Sequence, residues 1–363
     1  MIDKKSIIRN KEKPVQKFRF YVQSAMAILC LWIGVEFFFF VKYLQAEGNA
    51  VFINRPPGVE GFLPISSMMS FYISIKTGVI HHAHPAGMFI FAAILLISLV
   101  FGKAFCSWLC PVGFLSELIG DFGERVWKKL FKRKLTLPKY IDIPLRSLKY
   151  LLLGFFIYAI FFLMTDAAII TFLDSPYNLV ADLKMFNFFA ELSGFALTAL
   201  TVLFVLSIFI RNFWCRYLCP YGALLGLFSF LSPNKIVRNK VSCINCGLCT
   251  KACPSLIKVD KASVVLSDEC SSCLNCVDVC PVADTLNVKN IIVKKTVPKK
   301  AIAVIIVVLF MLITGIGMIT GNWQNDIPKE HYIIHYERMN SYGHPTGTKE
   351  VNEFNKEVMD KNK

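Results

Sequence analysis

The chain has 363 residues, of which 55% are hydrophobic and 18% charged, with 32 phenylalanines and a formal net charge of +15. That composition is too apolar and too segmented for an ordinary soluble protein and points to a membrane protein. The basic residues gather beside apolar runs and not over one face or helix, which excludes a nucleic-acid role and makes them topology signals.

Residues 1–19 carry Lys4, Lys5, Arg9, Lys11, Lys13, Lys17 and Arg19 against Asp3 and Glu12, and predict a cytoplasmic N-terminus. The run from Phe20 to Val41 is long enough to cross a hydrocarbon core of roughly 30 Å as a helix. It exceeds a signal-peptide core and lacks a small-residue cleavage site. Cys30 within it reads as a small packing residue. From Tyr43 to Gly87 turn formers dominate and charges are few, so this is an outer loop. Its apolar part, Phe62 to Ile80, carries Pro64, Ser66, Ser67, Ser70 and Lys76 and reads as an interfacial or re-entrant piece. His81, His82 and His84 follow. Such a cluster ligates a metal or haem, hydrogen-bonds a quinol, or is simply a set of interfacial surface histidines.

A second span, Met88 to Phe105, leads into Cys106-Ser107-Trp108-Leu109-Cys110-Pro111-Val112-Gly113, which closes a membrane segment of residues 20–113. The loop 114–147 holds Arg125, Lys128, Lys129, Lys132, Arg133, Lys134, Lys139 and Arg146. That density predicts a cytoplasmic loop and suits anionic lipid head groups. A third span, Leu148 to Phe172, precedes an outer loop with only Lys184 as a positive charge. A fourth, Gly194 to Ile210, leads into Cys215-Arg216-Tyr217-Leu218-Cys219-Pro220-Tyr221-Gly222, within a second membrane segment of residues 148–230. The two C-x3-C-P motifs align at a constant offset, predicting two parallel two-helix repeats about an axis along the membrane normal. Cysteines four apart share one helix face, so the repeat would gather Cys106, Cys110, Cys215 and Cys219 at the cytoplasmic membrane edge. Four thiolates there would suit a further iron–sulfur or metal centre. Two redox-active dithiols, or cysteines packed as small apolar residues, are the alternatives.

Residues 236–290 contain two tandem runs, C-I-N-C-G-L-C-T-K-A-C-P and C-S-S-C-L-N-C-V-D-V-C-P. Each is a C-x2-C-x2-C-x3-C-P run, in which three thiolates hold one cluster and the fourth reaches the other. The crossing assigns Cys243, Cys246, Cys249 and Cys280 to one [4Fe–4S] cluster and Cys270, Cys273, Cys276 and Cys253 to the other. A zinc ribbon has no use for the third cysteine of each run or for the C-P ending. Disulfides would need an oxidising compartment, which the topology argues against. A fifth span, Ala301 to Thr320, would export the tail of residues 321–363 with His331, His335 and His344, which is too short to bury a core of its own.

These motifs together resemble the NapH-like polyferredoxin membrane proteins, a superfamily that also includes the NosR-type and CcoG-type proteins. The resemblance covers about residues 15–300. It implies electron transfer at the cytoplasmic (inner) membrane of a prokaryote, often between quinol and a partner redox protein. The chain carries neither the covalent-flavin motif D-G-x-T-G-A-T of the NosR type nor the large outer domain of the CcoG type.

The expected fold is therefore a mainly α membrane protein with about five transmembrane helices, two parallel two-helix repeats plus one. A cytoplasmic α+β bacterial-type 2[4Fe–4S] ferredoxin domain completes it. The expected function is electron transfer between the quinone pool and another redox protein, a periplasmic reductase or oxidase system. The alternative is an assembly or maturation factor for a respiratory metalloenzyme that reduces a metal or a thiol. There is no C-x-x-C-H for c-type haem and no G-x-G-x-x-G in a dinucleotide-binding context.

Overall fold

The computed structural model describes residues 8–49, 51, 53–132 and 137–343. Lys4, Lys5, Arg133, Lys134 and His344, which the sequence reading used, lie outside the described residues. Among the described residues, three helices are long and apolar enough to cross a membrane: Gln16–Gln45, Lys139–Leu163 and Lys299–Ile319. The expected fourth span, Gly194 to Ile210, forms the helix Gly194–Phe209, and a shorter helix before it, Ala181–Ala190, meets it at 81°. The expected second is a 17-residue helix, Pro85–Phe101, about 26 Å long at 1.5 Å per residue.

The third span differs from expectation. It was expected over Leu148 to Phe172, but the helix starts at Lys139 and its π-helical last turn ends at Leu163. Met164 is extended, and the Thr165 hydroxyl accepts from the Ala168 amide at 3.2 Å, capping a separate helix, Asp166–Leu173. Hydropathy alone missed the early start because the first turns carry charges, and these are matched within the protein. Asp142 accepts from Arg216 at 3.1 Å, and Lys149 donates to Glu269. The segment Phe62 to Ile80 forms the helix Pro64–Thr77, stopped by Gly78 at φ +73°. At 14 residues it is about 21 Å long, too short to span.

The chain forms two compact units. The first comprises residues 1–28, 94–153 and 201–310. Its sheet is antiparallel, with β1 (Asn234–Arg238) pairing β2 (Leu286–Asn290), which pairs β3 (Thr296–Val297). This register ties the two ends of the cysteine-rich segment together. The basic N-terminal segment joins it. Arg9 bridges Val282, the Asn10 amide donates to Pro281 O at 2.8 Å, and Gln16 Nε2 donates to Cys273 O at 3.0 Å. Sequence reading gave these residues to topology alone, yet they also close one edge of the cysteine-rich segment.

The second unit comprises residues 29–93, 154–200 and 311–363. One apolar cluster holds Phe37, Phe40, Leu44, Val59, Leu183 and Tyr332; another holds Met69, Ile73, Ile160, Ile169 and Leu173. The tail thus contributes to a core through the helix Lys329–Glu337, whose Tyr332 packs edge-on against Phe40 at 5.5 Å. His335 is buried beside the Tyr342 hydroxyl, and burial pushes its pKa down to about 4, so it is a neutral packed imidazole. Beneath these clusters lies a charged network. Arg55 donates to Asp182 at 2.6 Å and to Glu60 at 2.7 Å, with all three side chains nearly or fully buried. His84 sits in the same network, its Nδ1 3.4 Å from Arg55 Nη2 and 3.6 Å from Glu60 Oε1 and its Nε2 3.0 Å from Asn178 O. Both ring nitrogens of His84 are therefore occupied by the fold.

Candidate metal centres

The two cysteine runs adopt matching loops. Asn245 and Gly247 flank Cys246 at φ +54° and +69°, and Ser272 and Leu274 flank Cys273 at +49° and +64°. A left-handed conformation costs a non-glycine residue about 1–2 kcal/mol. Leu274 accepts that cost because its side chain is fully buried. Paired left-handed residues curl each loop so that its thiols turn inward, and short helices, Leu248–Ala252 and Asn275–Asp278, then carry the third cysteine of each run.

The thiols fall around two cavities. Cys243, Cys246, Cys249 and Cys280 line one cavity, together with Ile244, Pro281, Val282 and Leu286. Cys253, Cys270, Cys273 and Cys276 line a second, among Ile236, Ile257, Val259 and Val265. Burial pushes the Cys270 thiol up to about 12 and Cys276 well above its usual value, and it also raises Cys249, Cys253, Cys273 and Cys280. Thiols so placed shed their protons on binding metal. Four thiolates at about 2.3 Å from one zinc ion would stand about 4 Å apart. Among the described residues, the one group of ligand atoms gathered within 4.8 Å is not a cysteine set but His81, His82 and Asp174. The wider cysteine sets suit a multi-iron cluster better than a single ion.

The duplicated C-x3-C-P motifs also share a local form. Cys110 caps the helix Pro111–Phe131, with its Sγ accepting from Gly113 N at 3.4 Å; Cys219 caps Pro220–Ser229, with its Sγ accepting from Gly222 N at 3.3 Å. Gly113 admits the close approach of the first cysteine's carbonyl, since a methyl group there would stand 2.1 Å from Cys106 O, whereas one at Gly222 would make an ordinary contact at 3.5 Å from Cys215 O. The motifs meet. Burial drives the Cys106 thiol well up, and Cys110, Cys219 and Cys215 lie near enough to raise it further, against the opposing charge of the buried Lys103. Cys215 is pushed up to about 12, again by burial first and then by Cys219 and Cys110.

Sequence reasoning missed what joins these turns to the cysteine runs. Cys106, Cys215 and Cys273 line one cavity of about 60 Å³, with Lys103, Arg19, Glu117 and Glu269. The residues between the paired cysteines make the connection. Trp108 Nε1 donates to Ser272 O at 3.1 Å, Ser107 Oγ to Ser271 O at 2.6 Å, and Arg216 to Ser255 O at 2.9 Å. The signal was present in C-S-W-L-C and C-R-Y-L-C, where a large donor stands between two cysteines on a short helical turn. Of the histidines, His81 and His82 come together with Asp174, whereas His84 stands apart in the Arg55 network.

A family model described as a 4Fe-4S binding domain matches residues 83–138 and 192–239, and one described as a 4Fe-4S dicluster domain matches residues 235–281. YccM of Escherichia coli (strain K12), provisionally named an electron transport protein, is 46% identical over 85% of this chain and 87% of its own length. The ferredoxin-type protein NapH of Haemophilus influenzae is 28% identical over 69% of this chain and 88% of its own. The methylamine utilization ferredoxin-type protein MauN of Methylorubrum extorquens is 28% identical over 62% and 74%. No solved structure matches. With its iron–sulfur motifs, its apolar helices and these relatives, the chain belongs to the NapH-like polyferredoxin family of membrane electron-transport proteins.

Proposed function

We propose that this protein carries electrons one at a time between the quinol pool and a partner redox protein. The path uses two [4Fe–4S] clusters, held by Cys243, Cys246, Cys249 and Cys280 and by Cys253, Cys270, Cys273 and Cys276, and a third centre on Cys106, Cys110, Cys215 and Cys219. The observation that carries this reading is the partition of the eight run cysteines into two thiol-lined cavities, each combining three cysteines of one run with the last of the other. Bound clusters supply the one-electron chemistry; the protein supplies ligation, spacing and dielectric.

The residues also suggest an order. Cys273 faces the cavity shared with Cys106 and Cys215, so its set is the one nearest the turn cysteines. Cys246 of the other set is exposed, with Val241, Ile244 and Leu248 exposed around it, which suits a docking face for a soluble partner. In this reading the N-terminus and cysteine runs are cytoplasmic, the chain crosses the inner membrane five times and the tail is outside, because Lys and Arg crowd the segments assigned inward.

A quinol reading draws support from a cavity of about 660 Å³ in the second unit, lined by Phe62, Met69, Phe155, Phe172 and Tyr177. That volume falls within the roughly 300–1,000 Å³ of small-molecule sites. Ser66 lines it, and its buried hydroxyl has no hydrogen-bond partner. The test uses purified protein in anaerobic proteoliposomes, with iron–sulfur absorbance followed after a reduced short-tail quinol is added. Cluster reduction is expected, slowed at least about tenfold by Ser66→Phe, which intrudes on the cavity and removes its hydroxyl. Clusters that dithionite reduces, but that neither quinol reduces nor quinone re-oxidises, would overturn the quinol reading in favour of a maturation role.

A further inference from the structure

We propose that His81, His82 and Asp174 form a binding site for a divalent transition-metal ion of the zinc or copper class, separate from the cysteine centres. The histidines lie in the short loop between the helices Pro64–Thr77 and Pro85–Phe101, and Asp174 ends the helix Asp166–Leu173. Asp174 Oδ1 is 3.2 Å from His81 Nε2 and 3.6 Å from His82 Nε2, and the three atoms lie within 4.8 Å of one another. Ligands about 2.0–2.2 Å from a tetrahedral ion are separated by about 3.4 Å, so these distances bracket the requirement.

Direction matters as much as distance. Asp174 Oδ1 is shielded from solvent yet accepts no hydrogen bond, although two imidazole nitrogens stand close to it. The ring nitrogens thus crowd this oxygen without satisfying it, and all three ligand atoms lie within reach of one ion. Leaving a buried carboxylate oxygen unsatisfied is costly, and such an ion removes the cost. The two rings stack with centroids 4.7 Å apart, an arrangement that suits neutral imidazoles and not a pair of cations. Asp326 lies near enough to act on the His82 ring, so two carboxylates would balance the charge of a divalent ion.

Two imidazoles with a carboxylate favour zinc, copper or nickel over magnesium or calcium, which prefer all-oxygen sets. The Ala83 amide donates to His81 Nδ1 at 3.3 Å. Coordination through Nε2 moves the ring proton to Nδ1, so this long contact must give way on binding.

The experiment measures zinc bound at equilibrium dialysis to the detergent-solubilised, cluster-replete protein, with iron counted in the same sample as the check on folding. Wild type is expected to hold one zinc beyond its iron. His82→Ala, at a half-exposed position, and Asp174→Ala should each weaken binding at least tenfold with iron unchanged, while His331→Ala should leave it intact. Equal zinc binding in wild type, His82→Ala and Asp174→Ala, or no zinc on iron-replete wild type, overturns the proposal.

Discussion

Serine at any one of Cys106, Cys110, Cys215 and Cys219 is expected to erase the same paramagnetic signal and the same complement of iron, leaving the signals of the other clusters in place. The four thiols lie close enough to act on one another, so in the proposed shared centre each removal would leave three ligands. Serine is an informative choice because Cys110 and Cys219 also cap helices. Serine is among the best N-caps, so the cap survives and only the ligand is lost. Two independent dithiols would instead pair Cys106 with Cys110 and Cys215 with Cys219 in phenotype. Full iron and unchanged spectra in all four variants would show that these cysteines only pack.

Replacing Arg55 with methionine is expected to destabilise the second unit by about 3–5 kcal/mol, the cost of leaving buried charges without their partner. That is a large part of the roughly 5–15 kcal/mol that holds a typical domain. In wild type, burial works to raise the Glu60 carboxyl, but the Arg55 guanidinium, joined by His84, outweighs it and holds the pKa below the usual carboxylate range. A depressed folded-state pKa gives stability that is present above the unfolded value and is lost as pH falls through the folded one. Without Arg55, only His84 and the Gly87 amide oppose burial, so the carboxyl rises. The variant should therefore lose less stability than wild type as pH falls through the carboxylate range. Thermal midpoints in detergent across mildly acidic pH check both the size and the shallower slope. Parallel slopes would mean that Glu60 does not depend on Arg55.

The cysteine partition was legible in the sequence because spacing within a tight loop fixes which thiols meet. The twin C-x3-C-P turns were legible for a related reason: proline and glycine at fixed offsets dictate the same cap twice. Hydropathy located four of the apolar segments well but misplaced the third, since Asp142 and Arg146 looked too polar for a helix whose charges are in fact paired within the protein. Long-range polar partners leave no local trace. Nothing near Arg55 in sequence announces Asp182, and nothing near His81 announces Asp174. The N-terminal segment was read only as charge, whereas its backbone also extends the pairing around Val282.

The most direct test of the electron-transfer account is an iron count with low-temperature paramagnetic resonance on protein purified without oxygen and then reduced. The account predicts at least about eight iron atoms per chain, from two four-iron clusters, with an additional signal that the turn-cysteine variants lose. A reconstituted sample that saturates at one cluster, or takes zinc in preference to iron, would contradict it.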